Sequence, residues 1–150
     1  MQNAVCFIGH RKVKEKTVTE RNAKILTEKL IEKGFNKFIF GDHSEFNDVC
    51  YKIVTEKRKY FPKIQRIHFR TNYENADEYT ERFLRVGYED SICPKGISKA
   101  GKSVYIQRNH AMIDESEICV FYYDSGILKS GTAKAFKYAS DKNKKIINIW

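Results

Sequence analysis

Proline is almost missing from this chain, at two residues in 150 (Pro62 and Pro94), and glycine numbers only eight. So few breakers exclude a proline-rich linker, a polyproline stretch or a collagen-like repeat. A hydrophobic content of 41% excludes a disordered or fibrous chain as well. No apolar run approaches the roughly 20 residues needed to cross a bilayer. The beginning, MQNAVCFIGHRK, lacks a basic region followed by a long apolar stretch and a small-residue cleavage site. The expectation is one cytosolic domain, with no internal repeat or low-complexity tract to divide it.

Cysteine is sparse too. Cys6, Cys50, Cys93 and Cys119 form no C-x-x-C pair, and no paired histidine spacing accompanies them, so reduced thiols and no metal site are expected. Cys6 and Cys119 each lie in an apolar, strand-like run, where a free cysteine behaves as a small buried hydrophobe. Also lacking are a P-loop, a G-x-S-x-G elbow and a G-x-G-x-x-G turn, the usual signatures of nucleotide enzymes and α/β-hydrolases.

Charge, by contrast, is plentiful, with a net of +9. Such a balance suits nucleic acid, an anionic metabolite or mere solubility, and it speaks to association rather than fold. Its basic residues are scattered (Lys57-Arg58-Lys59, Lys95, Lys99, Lys102, Lys142, Lys144, Lys145), while Glu74, Asp77, Glu78, Glu81, Glu89 and Asp90 make the middle acidic. No sustained basic stripe with interleaved aromatics emerges, so nucleic-acid binding is permitted but not favoured.

Short continuous apolar runs alternate with longer periodic segments, the pattern of strands buried on both faces with helices packed over them. The reading is an α/β, Rossmann-like, mostly parallel sheet of about five strands flanked by helices. A strand over Ala4–Ile8 is closed by Gly9. A helix follows over about Val18–Lys33, with Thr17 and Glu20 spaced as a capping box and Gly34 at its end. Lys37–Phe40 is the second strand. Ser44 then caps a helix whose Phe46, Val49, Cys50 and Ile53 follow i, i+3, i+4, i+7 spacing.

Pro62 precedes a third strand over Ile64–Phe69. Asn75–Val86 reads as a weaker helix, and Tyr88–Gly101 as irregular. A helix over Lys102–Ile113 leads to a fourth strand, Ile118–Tyr122. A loop with Gly126 and Gly131 opens the last helix, in which Ala135, Phe136 and Ala139 face inward, and Lys145–Ile149 closes the sheet. Right-handed crossovers allow all five strands to lie parallel.

In such sheets the strand carboxyl ends converge on a crevice, where helix amino termini offer free N–H groups to anions. Four turns should end there: Gly9-His10-Arg11, Gly41-Asp42-His43-Ser44, His68-Phe69-Arg70 and Asp124 through Thr132. Ser130-Gly131-Thr132 reads either as a phosphate turn, with close backbone approach at glycine, or as a simple helix cap. Gly9-His10-Arg11 offers a cation and a titratable imidazole, or else a turn with a solvated arginine. Arg70 has the same two readings.

At helical spacing Tyr105, Arg108, Asn109 and Met112 share a face. They line a pocket wall, or else Tyr105 and Met112 are core and Arg108 pairs with a carboxylate. Glu89-Asp90 can supply an acid or base, or simply a solvated acidic face. The exposed pair Ile127-Leu128 marks a contact in a homo-oligomer, or two anchors of a loop.

The segments CFIGHR (Cys6–Arg11), FGDHSEFNDVCY (Phe40–Tyr51), AGKSVYIQRNHAMIDES (Ala100–Ser116), VFYYD (Val120–Asp124) and SGTAKAFKYA (Ser130–Ala139) recur in order over nearly the whole chain. In these the sequence resembles the YpsA-like branch of the SLOG superfamily, related to the DNA-processing protein DprA and to the LOG phosphoribohydrolases. The resemblance implies a Rossmann-like fold and a nucleotide or nucleotide-derived ligand near Gly9, Gly41 and Ser130-Gly131-Thr132. It also implies three activity classes: nucleoside-monophosphate hydrolysis, sensing of NAD-derived signals and DNA binding.

The LOG pattern P-G-G-x-G-T-x-x-E is only partly matched. Here the turn reads Lys129-Ser130-Gly131-Thr132, and Ala135 stands where the catalytic glutamate would be. That departure moves the expectation from hydrolase to binding domain for a nucleotide or ADP-ribose-like molecule, unless Glu89 or Asp114 supplies the missing carboxylate.

Overall fold

The computed structural model describes residues 1–41, 44–71, 87–97, 101 and 103–150. The helix expected over Asn75–Val86 lies outside the described residues, as do Asp42 and His43.

Among the described residues six parallel strands make one sheet: β1 (Ala4–Gly9), β2 (Lys37–Phe40), β3 (Gln65–Phe69), β4 (Asp90–Ile92), β5 (Ile118–Tyr122) and β6 (Lys145–Asn148). Their order is β4-β3-β2-β1-β5-β6, and every neighbouring pair runs parallel. The described helices that cover it are α1 (Lys16–Glu32), α2 (Glu45–Arg58), α3 (Ser103–Glu115) and α4 (Gly131–Asp141).

Alternation along the strands divides the core. Val5 and Phe7 of β1, with Phe38, Phe40, Val120 and Tyr122, turn towards α1 and α2, meeting Ala23, Leu30, Phe46, Val49, Cys50 and Val54. Ala4, Cys6 and Ile8, with Ile39, Ile67, Phe69, Cys119 and Phe121, turn the other way, onto Met112 and Ile113 of α3 and Ala135 and Ala139 of α4. Both faces are therefore covered, which is why the central strands read as unbroken apolar runs. All four cysteines are free thiols, and Cys6, Cys50 and Cys119 are buried.

Several expectations are corrected. Tyr88–Gly101 is not wholly irregular, because Asp90–Ile92 pairs with Ile67–Phe69 as a sixth, edge strand. Helix α1 begins at Lys16, with Glu15 in the capping position and no side-chain cap, so the Thr17/Glu20 capping box does not form. In α2 the register of the buried face falls on Val54, and Ile53 is left half-buried on its outer flank. The Ser44 cap does form, its Oγ accepting from the Asn47 N–H at 3.1 Å. No helix of the described residues is long and apolar enough to cross a membrane.

Candidate functional site

Strand order ascends leftward from β1 and rightward from β5, so the topological switch point lies between those two strands. Connections on either side of it leave in opposite directions, the arrangement that in open α/β sheets makes a crevice at the strand carboxyl ends. His10 directly follows β1 there. The His10 N–H donates to the Tyr122 carbonyl at 3.1 Å, extending the β1–β5 ladder by one bond. The Asp124 N–H donates to His10 Nε2 at 2.8 Å. A ring nitrogen that accepts is unprotonated, so the neutral imidazole carries its proton on Nδ1. Burial lowers the pKa of His10, against the Asp124 charge and with help from Lys14.

The loop after His10 is held by neighbours on both sides. Glu45, the first residue of α2, donates its N–H to the Arg11 carbonyl at 2.9 Å, and its Oε2 accepts from the Val13 N–H at 2.7 Å. That backbone bond depresses the Glu45 pKa against the effect of burial, with Lys12 adding to it. Tyr122 Oη accepts from the Lys14 N–H at 3.1 Å. Arg11 itself is exposed, so its guanidinium stands at the edge of a braced turn.

At the tip of β2, Asn47 spans two strands. Its Oδ1 accepts from the Gly41 N–H at 3.2 Å, and its Nδ2 donates to the Phe7 carbonyl at 3.1 Å. The Gly41 carbonyl accepts from Arg108 Nη1 at 3.3 Å and lies 3.3 Å from His68 Nε2, which must then be the protonated ring nitrogen. Arg108 Nη2 donates to Asn109 Oδ1 at 3.3 Å, and both residues are buried. Arg108 thus ties α3 to the β2 tip. Tyr105 is 44% exposed, so of the four residues expected on one wall only Arg108, Asn109 and Met112 are buried. Arg70 is buried too, its N–H donating to the Ile92 carbonyl at 2.8 Å.

The glycines at the two tips are explained by the protein's own side chains. A Cβ on Gly9 would run into the Phe46 ring, and one on Gly41 would lie 2.6 Å from Met112 Sδ and 3.0 Å from Arg108 Nε. Neither needs a ligand to account for it. Gly131 differs, since nothing lies within 4 Å of its missing Cβ.

At the start of α4, Ser130 Oγ accepts from the Ala133 N–H at 3.0 Å, so the cap reading of this turn is realised. It does not use up the helix end. The N–H groups of Gly131 and Thr132 belong to the first turn, which has no acceptors within the helix, and Thr132 is buried. Arg11 and Thr132 therefore lie on the same edge of the sheet, on strand-to-helix turns that flank the β1–β5 junction.

The two carboxylates considered for catalysis lie elsewhere. Glu89 precedes β4 and grips Arg66 of β3, with Oε1 2.8 Å from Nη2 and Oε2 3.1 Å from Nε, and Arg58 lies 2.6 Å away. Burial acts to raise its pKa. The hydrogen bonds from the Arg66 side chain and backbone, with the Arg66 and Arg58 charges, outweigh that and hold it low. Asp114 sits near the end of α3, which leads back to the amino end of β5, and accepts from Tyr138 Oη at 2.9 and 3.0 Å. Neither reaches the crevice. Among the described residues no group of three or more His, Cys, Asp or Glu is placed to hold a metal ion.

Sequence reasoning passed over Asn47, Glu45 and Tyr122, which position the tips. Asn47 left a signal, because it shares a helical stripe with Cys50 and Val54 and so had to be buried and bonded. No protein-family model matches the chain, and no curated protein matches it.

Proposed function

We propose that this protein binds a nucleotide or nucleotide-derived molecule of the ADP-ribose or NAD kind in the crevice at the β1–β5 switch point, in a sensing or regulatory role. The observation that carries the reading is that two strand-to-helix turns flank that junction on one edge of the sheet. One presents Arg11 and the Nδ1–H of His10, and the other presents the first N–H groups of α4. Each is an anion-binding device, and together they suit a phosphate. Arg108 and Asn109 serve from behind, holding Gly41 and the β2 tip in place.

The segments quoted above accord with a place beside the YpsA-like SLOG proteins, and that kinship is part of the same proposal. Binding is preferred to cleavage of an N-glycosidic bond, whose oxocarbenium-like transition state needs a carboxylate near the ribose. Glu89 is held by two arginines and Asp114 belongs to the other edge of the sheet. A thermal-shift series with AMP, ADP-ribose, NAD and cyclic nucleotides at millimolar concentration tests the reading. At least one should raise the melting temperature of the wild type more than that of Arg11→Ala, and no rise with any of them would refute the ligand class.

A further inference from the structure

A second concave surface lies away from the strand tips. The flanks of α1 and α2, with Tyr60 just beyond α2, border a groove of about 580 Å³ whose apolar lining is Val49, Ile53 and Tyr60. Its walls carry four cations, Arg21, Lys24, Lys52 and Lys57, against two acids, Glu20 and Glu56. Lys57 is paired with Glu28, and Glu56 with Lys59. Among the described residues Arg21, Lys24 and Lys52 have no ion-pair partner, which leaves the lips of the groove positive. Tyr60 is 76% exposed, and Phe61, next in the chain, is 48% exposed.

We propose that this groove docks an acidic amphipathic helix of a partner protein, its apolar anchors on Val49, Ile53 and Tyr60 and its carboxylates beside Arg21, Lys24 and Lys52. Helices recognised in this way set large apolar residues at i, i+3, i+4 and i+7 into such a furrow, and charge complementarity along the rim fixes orientation and partner. Exposed aromatic residues are favoured anchors at such interfaces. Single-stranded nucleic acid would also use cations and aromatics. Two of the three apolar lining residues, Val49 and Ile53, are aliphatic, however, and Lys57, Arg58 and Lys59 of the nearby basic run are each engaged by a glutamate. A helix is the better match.

Fluorescence anisotropy with the full chain tests this, using a labelled peptide with leucines at helical spacing and glutamates elsewhere, the same peptide with lysines in place of the glutamates, and labelled oligothymidylate. Saturable binding of the glutamate peptide is expected. It should weaken about ten-fold or more in a Lys24→Glu, Lys52→Glu double variant, which should in turn gain the lysine peptide. Tyr60→Ala should weaken binding at unchanged melting temperature. No binding, equal binding of both peptides, indifference to the substitutions, or oligothymidylate binding abolished by the same substitutions would each overturn the proposal.

Discussion

The Asp124 N–H donates to Nε2 of His10 at 2.8 Å, so the end of β5 is fastened to the end of β1 by a nitrogen that must stay unprotonated. Protonation replaces an acceptor with a second donor facing the first. The pKa of His10 is lowered in the folded protein, chiefly by burial. The unfolded chain therefore takes up the proton first as pH falls. Stability from this group is complete above the unfolded value of about 6.5 and declines as pH drops from there through the depressed folded value. Urea unfolding at a series of pH values should show that decline in the wild type and a shallower one in His10→Gln. His110 has a lowered pKa too, so the difference between the two proteins isolates His10.

Gly9→Ala should destabilise the protein by about 1–3 kcal/mol, because the new methyl overlaps the Phe46 ring and the ring must move within a packed core. Gly131→Ala, with open space at its Cβ, should change stability far less. Denaturant midpoints compare the two directly. If that glycine serves a ligand's close approach, Gly131→Ala should still impair nucleotide binding.

Asn47→Leu should cost about 2–4 kcal/mol, since it strands the buried Gly41 N–H and Phe7 carbonyl together. Chemical denaturation checks the size. Amide exchange at Gly41 should quicken in the variant, which a general loss of packing at α2 would not single out.

Glu89→Gln should lower stability while leaving the proposed nucleotide binding intact, because the carboxylate joins Arg58 and Arg66 at the start of β3 and β4, at the opposite edge of the sheet from the strand tips. Its pKa is held below the ordinary value, so its stabilisation is present above about 4.3 and is lost as pH falls through the folded value. The wild-type advantage over the variant should therefore vanish in acid. An advantage that stays undiminished however far the pH falls would contradict the role given to this ion pair.

Much of the sheet was legible because its central strands are buried on both faces and read as continuous apolar runs, from Val5 to Ile8 and from Ile118 to Tyr122. β4 was not, since three residues with Ser91 at the buried position make no pattern. At Ile53 and Val54 two adjacent apolar residues satisfied the same helical template, and only the packed sheet decides that Val54 turns inward. The candidate turns were legible as glycines after strands. What fills the space above those glycines was not, because Phe46 over Gly9 and Arg108 over Gly41 are contacts between residues far apart in the chain.

The most direct test follows backbone amide resonances by NMR while AMP or ADP-ribose is titrated into the protein. The account predicts that the amides of Gly9, His10, Arg11, Gly131 and Thr132 move together along one binding curve, leaving the α1–α2 groove undisturbed. Shifts confined to that groove, or none near the β1–β5 junction at saturating ligand, would contradict it.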